Sequence, residues 1–199
     1  DLSVILGGRA SNYKYHSYYH YRAPADAARS SDTQYQEHGE FTPYAGIVYD
    51  LTDQHSVYAS YTSIFKPQSV HDRDGKSLEP RTGDAFEVGL KSEFLDGRIN
   101  TSFDVFMTKQ DNLAELDPGQ IVSGTQSERA YRPVNGAKTR GFDAEINGEI
   151  LPGWKVAASY THAITKDAGG ERINTVAPAE LAKFWTTYRM PGELDRLTV

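Results

Sequence analysis

The sequence predicts an all-β chain, an antiparallel up-and-down sheet of the transmembrane β-barrel type, and three observations carry that prediction. Apolar and polar residues alternate strictly in at least six segments, short and long links alternate between them, and no apolar run reaches the length of a spanning helix. With 38% hydrophobic and 24% charged residues, the 199-residue composition looks like that of a water-soluble protein. A barrel strand shows lipid only on every second residue, so an average conceals what alternation displays.

The elements follow in order. A first strand precedes Arg22. In residues 40–51, Phe41, Ala45, Ile47, Tyr49 and Leu51 share a face against Glu40, Thr42 and Asp50, and next Val57, Ala59, Tyr61 and Phe65 oppose Tyr58, Ser60 and Thr62. Phe86, Val88, Leu90 and Phe94 alternate with Glu87, Lys91 and Glu93. Ile99, Phe103, Val105 and Met107 alternate with Arg98, Asn100, Asp104 and Thr108. Phe142, Ala144, Ile146 and Ile150 then face away from Asp143, Glu145, Asn147 and Glu149. Trp154, Val156, Ala158 and Tyr160 face away from Lys155, Ser159 and Thr161, and Phe184 and Tyr188 close the series. A soluble sandwich would alternate in the same way.

The links separate the two. Short ones, rich in turn-formers, fall at 52–54, 96–97, 152–153 and 191–192, and long ones at 22–36, 66–81, 111–127 and 166–177. Short turns on one rim and long loops on the other describe an up-and-down barrel, with about eight strands and the start of a ninth at Leu197-Thr198-Val199. An open edge cannot face hydrocarbon, so these strands are expected to be an arc of a larger barrel.

Other classes are excluded or weakened. Cysteine is absent, which rules out disulfides and thiolate metal sites, and a net charge of −6 argues against a nucleic-acid partner. The first residues, DLSVILGGR, lack the basic start and cleavage site of a signal peptide. No paired nucleophile and base stands out, so no enzyme is expected.

Several motifs in one order resemble the barrel of TonB-dependent siderophore receptors. They are FTPYAGIVYDLTDQHSVYASYTSIFKPQ from Phe41, LEPRTGDAFEVGLKSEFLDGRINTSFDVFMTKQDNLA from Leu78, TRGFDAEINGEILPGWKVAASYTH from Thr139, and WTTYRMPG from Trp185. The resemblance implies a barrel of about 22 strands in the bacterial outer membrane. It also implies that the barrel is filled by an N-terminal plug and binds a ferric siderophore outside. TonB energises import through a short N-terminal box. Neither plug nor box is recognisable, so residues 1–199 read as a partial barrel domain. The partners implied are the ferric siderophore, outer-membrane lipid, and TonB through the missing N-terminal part. No cofactor is implied, because the iron arrives inside its chelator. A passive porin-like barrel and a soluble all-β binding module remain the alternatives.

Candidate ligand-binding residues come from two places. YKYHSYYHYR, residues 13–22, holds five tyrosines, two histidines and two cations. From it Tyr18, Tyr19, Tyr21 and Arg22 could form an aromatic and cationic surface for a flat, anionic chelate. Its plainer account is an interfacial girdle. His71 and Arg73, with Lys76 in one long loop, and Arg129 and Tyr131, with Arg132 near the end of another, are the rest, although charged loop residues are more often only solvated.

Four patterns are set aside. His16 and His20 would lie about 13 Å apart on a strand. Ser63-x-x-Lys66 lacks the helix that penicillin-recognising enzymes need. Asn100-Thr101-Ser102 sits mid-strand. The carboxylates Glu87, Glu93, Asp104, Asp143, Glu145 and Glu149, interspersed with Lys91, Arg98 and Lys155, suit a solvated wall with cross-strand charge pairs better than a hydrolase.

Overall fold

The computed structural model describes residues 1–19, 31–173, 177–194 and 197–199, with the backbone alone at 17–19, 31–35, 37, 38 and 193. Its strands are β1 (Leu2–Tyr19), β2 (Ser31–Asp50), β3 (His55–Lys66), β4 (Arg81–Phe94), β5 (Ile99–Asp111), β6 (Leu113–Ile121), β7 (Arg129–Val134), β8 (Ala137–Leu151), β9 (Trp154–Lys166) and β10 (Glu180–Tyr188). Eight of them form one antiparallel sheet in the order β1-β2-β3-β4-β5-β8-β9-β10, and β6 and β7 pair separately as a hairpin. Every sheet strand thus lies beside its predecessor in the chain, the up-and-down order that the links foretold. Residues 197–199 turn back onto β10, where Tyr188 and Val199 exchange backbone hydrogen bonds of 2.7 and 3.0 Å, so the ninth strand begins where expected.

Directly paired residues of an antiparallel sheet point to the same side. The register therefore lays the apolar residues in rows across the sheet. One row runs Val4, Ile47, Ala59, Val88, Val105, Phe142 and His162. The next runs Leu2, Tyr49, Val57, Leu90, Phe103, Ala144 and Tyr160. These side chains are bare: Val88 is 57% exposed, Val105 50% and Leu6 76%. The buried apolar residues are Leu78, Leu113, Val122, Ala130, Ala137 and Ile173, all outside the interior of the large sheet. A soluble module would cover its apolar face with a second layer. Among the described residues no second layer covers that face.

Two link boundaries need correction. Residues 31–36, expected within a loop, pair with β1 from Tyr19 opposite Ser31 to Lys14 opposite Gln36. The polar run hid them, because backbone pairing needs no apolar side chain when both faces are wet. The link expected at 111–127 extends to Gly136 and folds into the β6–β7 hairpin. At 18 and 20 residues, β1 and β2 extend about 60 Å, twice the hydrocarbon thickness of a bilayer.

On the opposite side, Tyr58 Oη donates to Glu87, Thr161 Oγ1 donates to Asp143, and Lys91 Nζ lies 5.1 Å above the Tyr58 ring. The expected charge ladder is mostly absent. Glu149 does face Lys155, but Asp104 stands opposite Asp143, and Glu145 stands between Ser102 and Ser159. Hydroxyl donors, rather than cations, serve this acidic wall. Ser63 and Lys66, three residues apart in β3, point to opposite sides, which disposes of that motif.

Candidate ligand-facing loops

All four long links leave the same rim, and longer loops mark the external face of such barrels. Between β3 and β4, residues 67–80 make a small hairpin of their own with His71 opposite Ser77. Its tip is an Asx turn. Asp72 Oδ1 accepts from the backbone N–H of Asp74 at 3.0 Å and of Lys76 at 2.8 Å, which is why Asp-x-Asp-Gly folds here.

The β6–β7 hairpin stands on a polar knot. Asn112, with φ +56°, turns the chain out of β5, and its N–H donates to Asn135 Oδ1 at 2.8 Å. Gly136 N–H donates to Asp111 Oδ1 at 2.7 Å, and Gln68 Nε2 donates to the carbonyls of Glu79 and Asn112, both at 2.7 Å. Leu113, Ala137 and Ile173, with Val134 against them, form a small apolar cluster that ties the β9–β10 link to the hairpin's base. The β3–β4 and β9–β10 links are therefore both held against the base of the β6–β7 hairpin.

The two loops that carry candidates interlock higher up. Tyr131 N–H donates to the His71 carbonyl at 2.9 Å, Ser123 N–H donates to the Arg73 carbonyl at 2.8 Å, and His71 Nδ1 lies 2.8 Å from Glu128 Oε1. Leu78, Val122 and Ala130 are buried close by. The structure thus gathers His71, Arg73, Arg129 and Tyr131 into one layer, although 58 residues of sequence separate Arg73 from Tyr131. His71 and Tyr131 are half-buried, whereas Arg73 and Arg129 are exposed and in no ion pair among the described residues. Arg132 is committed to Glu115 at 2.6 Å, and Lys76 lies 3.9 Å from Glu79. Two guanidinium groups that are unpaired among the described residues can take an anionic ligand by bidentate hydrogen bonds.

The tyrosine-rich run is placed only in part. Tyr21, Arg22 and His20 lie outside the described residues, and Tyr18 and Tyr19 are described only by their pairing with Asp32 and Ser31. Tyr13 and Tyr15 lie on β1 opposite Glu37 and Tyr35 of β2, beyond Ala10 and Phe41 towards the long-loop rim. Gln68, Asn112 and Asn135 escaped the sequence reading. Asn-Gly at 135–136 was the one signal for them, and it reads as a turn rather than a knot.

Removing the Glu128 carboxylate by Glu128→Ala is expected to speed hydrogen exchange at the amides of Ser123 and Tyr131 in the complete receptor. Unchanged exchange at both would show that the apolar seam alone holds the loops together.

The family model described as TonB dependent receptor-like, beta-barrel, matches residues 1–198. The chain is 48% identical over its whole length to the ferric-pyoverdine 358 receptor of Pseudomonas putida, covering 24% of that protein. It is 42% identical to the ferripyoverdine receptor of Pseudomonas aeruginosa, covering 23%. The crystal structure of the ferripyoverdine receptor of Pseudomonas aeruginosa bound to ferripyoverdine matches all of the chain with a TM-score of 0.72 and 41% identity, over 25% of its own length. The alcaligin outer membrane receptor of Bordetella pertussis matches 99% of the chain with a TM-score of 0.70 and 45% identity, over 33% of its own length. The chain spans about a quarter of the length of the curated relatives it matches.

Proposed function

The chain belongs to the TonB-dependent receptor-like β-barrel family, and from that premise we propose that residues 1–199 form an arc of the wall of an outer-membrane receptor that imports a ferric siderophore. The observation that carries the reading is the pairing of one bare apolar face with a rim of interlocked loops that presents Arg73 and Arg129, both unpaired among the described residues. A lipid-facing wall explains the first, and capture of an anionic chelate explains the second. Identity along the whole chain to two pyoverdine receptors makes a pyoverdine-type chelate the first ligand class to test.

In this reading the protein is a receptor and not an enzyme. The iron is cargo inside its chelator, so no resident metal is called for. Import draws its energy from TonB through parts of the receptor outside residues 1–199. Ligand contacts fall to Arg73, Arg129 and the faces of His71 and Tyr131, with Tyr18, Tyr19, Tyr21 and Arg22 completing them from the β1–β2 link.

The test uses cells lacking their own pyoverdine receptors and supplied with the complete receptor. Iron-loaded pyoverdine should enter only when TonB is present. Arg73→Ala combined with Arg129→Ala should weaken binding about tenfold or more, with surface expression unchanged. Uptake that persists without TonB would support the passive porin reading instead. Unchanged affinity in the double variant would remove these loops from the ligand site.

A further inference from the structure

The neck of the β3–β4 link is a gap in the backbone ladder. Lys66 opposite Arg81 is the last pair of β3 with β4. Next towards the loop stand Pro67 on one side and Pro80 on the other, and neither has an N–H to donate. The ladder resumes farther out, where Leu78 N–H donates to the Val70 carbonyl at 3.0 Å and Asp72 N–H to the Lys76 carbonyl at 2.9 Å. A self-paired tip on such a neck is a lever. Arg73 lies five residues beyond Gln68, at most about 17 Å along an extended strand, so a tilt of about 10° at the neck displaces it by about 3 Å.

One side chain closes the gap. Gln68 is half-buried and follows Pro67 directly. Its Nε2 carries two hydrogens, and each has a carbonyl at 2.7 Å: that of Glu79 across the neck, and that of Asn112 at the root of the β6–β7 hairpin. Asn112 Nδ2 donates in return to the Pro80 carbonyl at 3.2 Å. The φ of +56° at Asn112 and its N–H bond to Asn135 Oδ1 fix where its own carbonyl points. Two carbonyl oxygens call for two donors, which a primary amide supplies without a charge to desolvate. Higher up, the same two loops meet again through the N–H groups of Ser123 and Tyr131. One attachment leaves a pivot, whereas two fix an angle.

We propose that Gln68 is the positioning residue of the ligand site. It locks the neck of the β3–β4 link to the root of the hairpin, and so fixes the separation of Arg73 and Arg129 before a ligand arrives. The inference takes its ligand from the siderophore reading, but its geometry stands apart from it. Such preorganisation acts on binding, because a platform that is competent for only a fraction of the time has its apparent affinity reduced by that fraction.

The test uses the complete receptor with either of two changes. Gln68→Glu keeps the shape but has no N–H, and Gln68→Asn keeps the amide but is one methylene shorter, too short to span both carbonyls. Both should raise the half-saturating concentration for uptake of iron-loaded pyoverdine, about tenfold for Gln68→Glu, with the maximal rate unchanged. Purified Gln68→Glu receptor should associate with it more slowly and release it at nearly the normal rate. When Arg73→Ala and Arg129→Ala are already present, Gln68→Glu should add little, because no pair is left to position. Without ligand, hydrogen exchange at the amides of Leu78, Ser123 and Tyr131 should quicken. Ser69→Ala, an exposed neighbour, should change nothing. Normal half-saturation in both variants, a loss carried by release alone, or the same loss repeated without the two arginines would overturn the proposal. So would unchanged exchange, which decides the matter even if the wild-type receptor takes up no pyoverdine and the transport reading itself fails. Mobility of unheated receptor on gels reports folding, and if Gln68→Glu does not fold, Gln68→Asn carries every measurement.

Discussion

Val105→Arg in the complete receptor is expected to cost roughly 2 to 4 kcal/mol, the penalty for a cation near the middle of the lipid-facing band of a barrel. Val105 stands four residues, about 13 Å, from Lys109 towards the long-loop rim and six residues, about 20 Å, from Ile99 at the other end of β5, so its guanidinium reaches headgroups poorly in either direction. Asp104→Arg, one residue away, should cost much less. It points to the other side, among Glu87, Asp143 and Glu145, where a cation meets carboxylates and water. Urea titration of the refolded receptor in lipid measures both. A fluorophore on cysteine at Val88, Val105 or Ile146 should be quenched by brominated lipid, and one at Asp104 or Glu145 should not. Quenching at Asp104 as strong as at Val105 would reverse the two faces, and quenching nowhere would defeat the membrane reading itself.

Gly148→Ala, through overpacking combined with backbone strain, and Gly141→Ala, through overpacking alone, should each cost roughly 3 kcal/mol. Gly148 has φ +147°, and a Cβ there would lie 2.0 Å from the Arg98 carbonyl oxygen and 2.8 Å from Ile99 Cα. At Gly141 a Cβ would lie 2.1 Å from the His162 carbonyl oxygen and 2.6 Å from the Phe106 ring. Backbone on a neighbouring strand cannot step aside without breaking the ladder. Both changes strike β8, which joins β5 to β9, so the expected readout is a sharp fall in folded, heat-modifiable receptor. Gly46→Ala is the matched control. It too lies inside a strand, yet the nearest atom to its Cβ would be the Ala59 carbonyl oxygen at 3.7 Å, and it should be close to neutral. If all three behave alike, the close approach of strands at β8 does not limit folding.

These glycines show how the sequence and the structure divide the information. Gly141 and Gly148 were visible as part of the motif beginning GFDAEING, but a motif cannot say which neighbouring carbonyl forbids a side chain. Legibility followed the range of the physics. Alternation has a period of two residues and turn chemistry spans about four. The eight sheet strands, their up-and-down order and the faces of Val88, Val105, Glu87 and Asp104 could therefore be read directly. The same local rules marked His71, Arg73, Arg129 and Tyr131 as loop residues, without showing that their loops meet. Register is a nonlocal quantity, set by hydrogen bonds between strands that lie tens of residues apart in the chain. Only the folded structure could reveal that Gln68 joins the neck of the β3–β4 link to Asn112, that Asp104 faces Asp143 rather than a lysine, and that β1 and β2 stay paired far beyond the apolar band. The family and the two-faced wall were determined by the sequence alone. Which side chains share a surface was decided by tertiary structure, because antiparallel pairing sets side by side residues that no short-range pattern connects.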